Sequence, residues 1–515
     1  MNISIFSGGR GSDGLQREFY NKLGKVPTNI VNLYDDGKST GIVRDVFGTL
    51  GPSDLRKCQT LKAKLEKSCN EDAIEFLEYR FSGSSSELAT VADRYLKFLE
   101  WESPELLTAV PAFLELCDAT TFVDFSIANI LYAYLFRLSG PTMTEKYFRK
   151  LLGLKSKTLI SSRSNDKIWW EAVDGTLTRA EHAIVDWNNS DNRIRSFSFK
   201  NDVVVPSSTI NAILNSDIIV FSTGTVWSSI FPSLNVGIVA ALKKTKAKIF
   251  VVLNSYDDGD SLGYSTDDYK VEYSKQLSSL KFRYIEATND NVSSDGGYLW
   301  EKIVDNIIFE TIASKLENKT AIVSDFDGTL SKKSISYFDD TIGVDKFIVT
   351  GNILNIESAT AKDIKEVYFN CGTESLKAGY TPESLNFSNE LYMTLKGLLP
   401  LGTEIVQHRR LWRIKPVSKR RKLIQSLNPV LSDYGLEATI RGKTTIEIHR
   451  KFLDKIDLFL SDYKNCLSEI LYIGDEPQGN DKKAMTLFDS ITIDNDQESL
   501  KIFETIKNVI ERRRR

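Results

Sequence analysis

The segment that most constrains this chain is the apolar run Thr320-Ala321-Ile322-Val323, followed after Ser324 by Asp325-Phe326-Asp327-Gly328-Thr329-Leu330. A short apolar run bounded by turn residues reads as a buried β-strand. Alternation along a strand puts residues i and i+2 on one side, so Asp325 and Asp327 can face a common site. Gly328 lets the chain turn sharply behind them. One carboxylate of such a pair can attack a phosphorus atom while the other carries the proton.

Three further segments follow in order. Lys346-Phe347-Ile348-Val349-Thr350-Gly351-Asn352 is a second strand ending in a hydroxyl and a glycine. Ile448-His449-Arg450-Lys451-Phe452-Leu453-Asp454-Lys455 brings a lysine. Ile470-Leu471-Tyr472-Ile473-Gly474-Asp475-Glu476 is a strand ending in an acid, with Gly479-Asn480-Asp481 behind it. Any one piece alone would read as an ordinary turn or a solvated lysine. Taken in order, the four resemble motifs I to IV of the haloacid dehalogenase (HAD) phosphohydrolases. The resemblance implies Asp325 as nucleophile, Asp327 as proton carrier, Thr350 as a hydrogen bond to the phosphoryl group and Lys455 as charge balance. It also implies Mg2+ beside Asp325, the Asp327 carbonyl and Asp475, with Asn480 or Asp481 in support. Magnesium suits such a set, because it takes oxygen ligands and keeps several waters.

Roughly 100 residues separate Asn352 from Lys455, room for a cap domain over the site. That is the C2-type placement of the phosphomannomutase, sucrose-phosphate phosphatase and Cof-like branches, which this half resembles. Glu437 to Ile448 alternates on both sides of Arg441-Gly442-Lys443, as a cap hairpin would.

A length of 515 residues predicts two or three domains. The polar step Lys315-Leu316-Glu317-Asn318-Lys319 marks the boundary. It gives a first domain over 1–315 and a second over 320–515, with a core at 320–352 and about 449–515 and a cap at about 353–448. A net charge of −3 gives no general argument for nucleic acid or an anionic membrane. The basic end, Arg512 to Arg515, reads as a solvated terminus. Five cysteines lie scattered without paired spacing, so neither disulfides nor zinc is expected. Met1 to Gly9 reads as a first strand rather than a signal peptide. No apolar run approaches the ~20 residues a membrane span needs. The expectation is a soluble, cytoplasmic protein that binds small phosphorylated metabolites, not nucleic acid or membrane.

In the first half, the strand at 3–6 runs into Ser7-Gly8-Gly9-Arg10-Gly11-Ser12-Asp13-Gly14-Leu15 and a helix-like stretch. A strand, a glycine-rich turn and a helix N-terminus make an anion site from free backbone N–H groups and the helix dipole. The spacing is neither Walker A nor GxGxxG. A second strand, Asn29 to Leu33, ends in Tyr34-Asp35-Asp36-Gly37-Lys38-Ser39-Thr40-Gly41. In a parallel sheet Asp35 and Asp36 would sit beside the glycine turn, suited to a metal bridge or a sugar hydroxyl.

These blocks, with Ser126-Ile127-Ala128-Asn129-Ile130 and Ser216 to Thr225, resemble the CofD-like family, which includes 2-phospholactate transferase and the YvcK-type gluconeogenesis factors. The resemblance covers roughly 1–310 and implies a Rossmann-like domain, hence an α/β chain with a CofD-type half followed by a HAD-like half with an inserted α+β cap. It implies a nucleotide-linked substrate held by Gly8, Gly9, Arg10, Gly11, Asp35, Asp36, Asn129, Ser222, Gly224 and Thr225, and a homodimer. Arg10 stands where the family usually has threonine, and Phe125 where it has histidine. Two functions are implied: a bifunctional transferase and Mg2+-dependent phosphatase, or a nucleotide-sugar-binding regulator of YvcK type with an accessory phosphatase.

Overall fold

Both halves are built on largely parallel sheets whose central strands are buried at nearly every position, as expected where both faces are covered. The computed structural model describes residues 1–9, 11–67, 71–82, 87, 90–91, 123–179, 184, 193–201, 203–255, 260–261, 263–278, 280–294, 296–350, 364–369, 374–375, 388–407, 412–415, 419–441, 445–450, 454–463 and 465–514. The chain divides into two units, Met1–Ile308 and Phe309–Arg515. The division falls inside the helix Trp300–Lys315, shortly before the polar step read as the boundary.

The strands of the first unit are β1 (Ile3–Phe6), β2 (Thr28–Val31), β3 (Thr158–Ile160), β4 (Ile168–Ala172), β5 (Leu177–Thr178), β6 (Ile194–Phe199), β7 (Ile218–Phe221), β8 (Lys248–Val252) and β9 (Arg283–Ile285). The main sheet has the order β3-β2-β1-β7-β8-β9, and β5-β4-β6 form a small antiparallel sheet. The main pairings are all parallel. The chain moves outward from β1 in one direction through β2 and β3, and in the other through β7, β8 and β9. Strand order therefore reverses at β1, and ligands of such sheets lie outside the strand ends at that switch point. Phe6 pairs in register with Ile30 and Phe221, so the segments after β1, β2 and β7 emerge at one edge. Local signals fix the flanking helices. Ser126 caps Ile127–Ser139, and Ser265 with Asp268 forms a capping box on Thr266–Gln276.

The second unit contains β10 (Ala321–Asp325), β11 (Asp345–Val349), β12 (Glu366–Phe369), β13 (Glu374–Ser375), β14 (Glu404–Gln407), β15 (Trp412–Lys415), β16 (Leu436–Arg441), β17 (Thr445–Arg450), β18 (Ile470–Gly474) and β19 (Asp489–Thr492). Its core sheet runs β13-β12-β11-β10-β18-β19. Asp325 is in register with Val349, and Ser324 with Ile473, which brings the ends of β10, β11 and β18 to one edge. The inserted sheet, β14-β15-β17-β16, is antiparallel. A cap beginning near 353 is corrected by β12, which pairs in parallel with β11 and so extends the core sheet. At the other end of the insert, the last cap strand runs on through Arg450.

Helices Asn389–Leu398 and Arg420–Ser432 cover one face of the inserted sheet, packing Leu391, Leu395, Leu423 and Leu427 on Trp412, Ile414, Ile446 and Ile448. The other face carries a buried ion pair, Arg413 Nε to Glu447 Oε1 at 2.8 Å, between register partners. His449 belongs to this sheet as well, its Nε2 lying 2.9 Å from Thr439 Oγ1. The basic C-terminus is not simply solvated. Arg513 donates to the carbonyls of Leu316 (2.8 Å) and Ala313 (2.6 Å), and Arg512 lies over the Phe309 ring. Cations at a helix C-terminus satisfy orphan carbonyls and oppose the dipole. Among the described residues no helix is long and apolar enough to cross a membrane.

Breaking a buried pair leaves an uncompensated charge. Arg413→Met is expected to destabilise the intact chain by about 3–5 kcal/mol, and adding Glu447→Leu to restore most of that, as read by urea denaturation.

Candidate active sites

The second unit brings its carboxylates together at the ends of β10 and β18. Asp325 is buried as the last residue of β10, and its Oδ1 accepts the N–H of Phe326 at 2.9 Å. Lys455 Nζ lies 3.1 Å from Asp325 Oδ2 and also contacts Asp481 Oδ1, with both partners and the lysine buried. Asp481 additionally accepts the N–H groups of Asp475 (2.9 Å) and Glu476 (2.8 Å) and the hydroxyl of Tyr472. One oxygen from each of Asp325, Asp475 and Asp481 lies within 4.8 Å of the others. Gly328 has φ +80°, and a Cβ there would overlap the Asp475 carboxylate. Only glycine tolerates both conditions, so the turn after β10 is tied to the acid after β18.

The electrostatics follow from burial and then from crowding. Burial pushes Asp325 well above the usual carboxylate range, Asp481 and Asp475 add to that, and Lys455 opposes it. Burial, then Asp481 and Glu476, raise Asp475 to about 6. Burial works against the charge on Lys455, yet Asp325 and Asp481 outweigh it and hold the ammonium above its ordinary value. Asp481 ends below its ordinary value despite burial, because Lys455 and its other donors stabilise the anion. The lysine is thus a fixed cation between two acids, and a net negative charge is left at the cluster.

Asp327 is exposed on the turn, and the buried Thr350 donates to its Oδ2 at 3.1 Å. Asn480 is half-buried in the turn ahead of Asp481. Asp325, Lys455, Asp475 and Asp481 therefore meet in one cluster, and Thr350 pairs with Asp327 on the turn that follows Asp325.

In the first unit the glycine turn after β1 is closed by the segment after β7. Thr223 Oγ1 donates to the Gly11 carbonyl at 2.7 Å and Ser222 Oγ at 3.3 Å. A Cβ on Gly11 would overlap the Thr223 carbonyl, so the approach requires glycine. Asn254 accepts from Gly224 N (3.1 Å) and donates to its carbonyl (2.9 Å), and Thr225 Oγ1 lies 2.7 Å from Ser229 Oγ. Buried Asp260 holds the turn behind them, accepting from Val226 N at 3.1 Å and Ser228 N at 2.7 Å. Asp35 accepts the Gly37 N–H at 3.0 Å, and Asp35 and Asp36 both act on buried Arg44, which donates to the Tyr34 and Asp166 carbonyls.

One expected residue is engaged elsewhere. The Asn129 side-chain oxygen accepts Arg56 Nε at 2.6 Å, which ties it to the neighbouring helix. Arg10 lies outside the described residues. Conversely, the sequence reading left Asp54 out of the site. Asp54 is buried in the first turn of Ser53–Glu66, is hydrogen-bonded by Gly9 N–H, and has Lys57 Nζ 3.7 Å away. Gly51-Pro52-Ser53-Asp54 announces a helix start with an acid in its first turn, but nothing local says that this turn lies against Gly9.

The model of 2-phospho-L-lactate transferase CofD matches residues 3–337. The chain belongs to the CofD family. Its CofD match runs past the first unit into the second. A Nostoc sp. relative is 25% identical over 270 residues, which is 52% of this chain and 50% of that protein, so the chain spans about half the relative's length. The gluconeogenesis factor of Bacillus subtilis is 22% identical over 273 residues, 52% of this chain and 72% of that protein. A crystal structure of a Bacillus halodurans protein aligns at TM-score 0.45 and 20% identity, covering 60% of this chain and 99% of the other. A trehalose-6-phosphate phosphatase related protein aligns at TM-score 0.28 and 18% identity, covering 38% and 99%.

Asp54 supplies a test of the CofD-type site that needs no ligand. Burial first, then the Asp35 charge, raises its pKa to about 7. Because the folded value lies above the unfolded one, its favourable share is complete below the ordinary carboxylate range and is lost as pH rises through about 7. Asp54→Asn keeps an acceptor for Gly9 and is expected to raise Tm by a few degrees near pH 8, with little change near pH 4, by scanning calorimetry.

Proposed function

We propose that this protein is bifunctional, with a phosphomonoester hydrolase in the second unit and a CofD-type site for a nucleotide-diphosphate-linked donor in the first. The observation that carries the phosphatase reading is buried Lys455 at 3.1 Å from Asp325, beside Asp475 and with Thr350 on Asp327. Burial and then mutual repulsion push Asp325 and Asp475 upward, and three clustered carboxylates that offer oxygen ligands fit a hard divalent cation. Asp325, Asp475 and the carbonyl of Asp327 would hold Mg2+, with Asn480 or Asp481 in support. When bound, it would polarise the phosphoryl oxygens and offset the charge of the acids.

The chain's own groups then divide the work. Asp325 attacks phosphorus and forms an aspartyl-phosphate as the bond to the leaving oxygen breaks. Asp327 gives that oxygen its proton, then takes one from the water that hydrolyses the acyl phosphate. Lys455 holds Asp325 in line and offsets the charge that develops on the phosphoryl oxygens. Thr350 orients Asp327 in the free protein and can turn its hydroxyl to the phosphoryl group.

In the first unit the glycine turn, the Ser222–Thr225 loop and the acids Asp35, Asp36 and Asp54 would accommodate a diphosphate with a cation. Transfer would release a nucleoside monophosphate. The regulatory reading is favoured by one observation, the name of the Bacillus subtilis relative, a gluconeogenesis factor. The homodimer implied by the family resemblance is part of the same proposal.

Asp325→Asn is expected to lower Mg2+-dependent phosphate release from a panel of phosphomonoesters by at least about 10³-fold. Chelation should abolish turnover in the unaltered protein. Protons compete for Asp475 as pH falls through about 6, so the apparent Mg2+ affinity should weaken below that value. For the first unit, Mg2+-dependent release of nucleoside monophosphate from a guanosine-diphosphate-linked donor supports transfer. Calorimetric binding of a nucleotide sugar without product supports regulation.

A further inference from the structure

The inserted cap of the second unit has one end that its chemistry leaves unused. β17 ends at Arg450, a short stretch before Lys455, so the end of the cap sheet holding Arg450 and its partner Leu436 is tethered to the site. Antiparallel register then fixes the opposite end. Glu404 pairs with Lys415, and Arg441 pairs with Thr445. The turn that enters β14 and the start of the helix Arg420–Ser432 therefore lie at the end remote from Lys455. A helix of that length spans about 20 Å, comparable to the six-residue strands it covers.

That remote end is both cationic and apolar. Between Glu404 and Asp433 the sequence has eight Lys or Arg and no acid. Lys419, Arg421 and Lys422 are exposed, and Lys396 is exposed on the neighbouring helix. Glu404 is the acid that shares this end. Leu401 sits at the tip of the turn before β14 and is fully exposed at 106%, with Leu398 (41%) beside it in sequence and Ile440 (39%) on the hairpin. Isolated exposed apolar residues are ordinary. Leucines at a loop tip beside several exposed cations, with Glu404 the acid there among the described residues, make a mixed apolar and basic rim of the kind that marks an interaction surface.

We propose that this end of the cap docks on an anionic lipid surface, with Leu401 and Leu398 entering the headgroup boundary and Lys396, Lys419, Arg421 and Lys422 facing the anionic headgroups. Bilayer interfaces match both features at once: apolar tips gain burial, and cations near a negative surface are each attracted within a Debye length. Nucleic acid would satisfy the cations but offers no hydrocarbon for Leu401. The binding is peripheral, and it holds the phosphatase site clear of the surface.

The test is co-sedimentation of the intact protein with vesicles of phosphatidylcholine alone or with one third phosphatidylglycerol, at low and physiological salt. Binding to the anionic vesicles only, weakened by salt, is expected. Arg421→Glu with Lys422→Glu is expected to reduce it at least about tenfold, and Leu401→Ser to reduce it at unchanged salt dependence. The reversal places acids in the first turn of a helix, where they favour the fold, so lost binding cannot come from lost structure; Tm should not fall. Phosphatase turnover on a soluble ester should be unaffected by these changes. No binding to anionic vesicles, equal binding to neutral ones, binding indifferent to the substitutions, or binding of RNA in place of vesicles would each overturn the proposal.

Discussion

The second unit depends on one buried ammonium. Lys455 arrives from the end of the cap insertion and settles between Asp325, at the end of β10, and Asp481, behind β18. Without it, carboxylates from adjacent strand ends would face one another in a dry setting, a costly arrangement. With it, Asp481 can gather the N–H groups of Asp475 and Glu476 and so fix the turn that presents Asp475. The same contact joins chemistry to architecture, because the lysine that offsets charge is also the point where the insertion returns to the core.

The first unit solves an analogous problem with glycine rather than lysine. Its turn after β1 admits the Thr223 carbonyl against Gly11 and the Asp54 side chain against Gly9, so three segments distant in sequence converge at the switch point of the sheet. Asp260 keeps the third segment in place through backbone N–H groups. Asp54 is raised to about 7 by its burial and then by the charge of Asp35, so this edge holds acids that a cation, or a phosphate with its cation, would stabilise.

Much of this was legible before any coordinates, and for a physical reason. Strand ends carry local signatures: an apolar run, then a polar residue, then glycine. Asp325 and Asp327 stood out in that way, while Thr350, Lys455 and Asp475 took their expected roles from the resemblance to an ordered set of motifs. What depended on long-range pairing was not legible. β12 is short and looks like any other cap segment until it pairs with β11. Asp54 reads as a helix start, and its approach to Gly9 is a tertiary fact. Asn129 sits in a family block, yet Arg56 takes its side-chain oxygen. The arginine-rich terminus reads as a solvated tail from charge alone, whereas Arg513 closes the end of the helix Trp300–Lys315.

The central claim is that Asp325 itself carries the phosphoryl group. The most direct measurement is rapid acid quench of the protein with Mg2+ and a labelled phosphomonoester that it turns over, followed by peptide mapping. A transient label on the peptide containing Asp325 is expected, absent from Asp325→Asn and absent when Mg2+ is omitted. A label on another residue, or turnover in which no protein-bound phosphate ever forms, would contradict it.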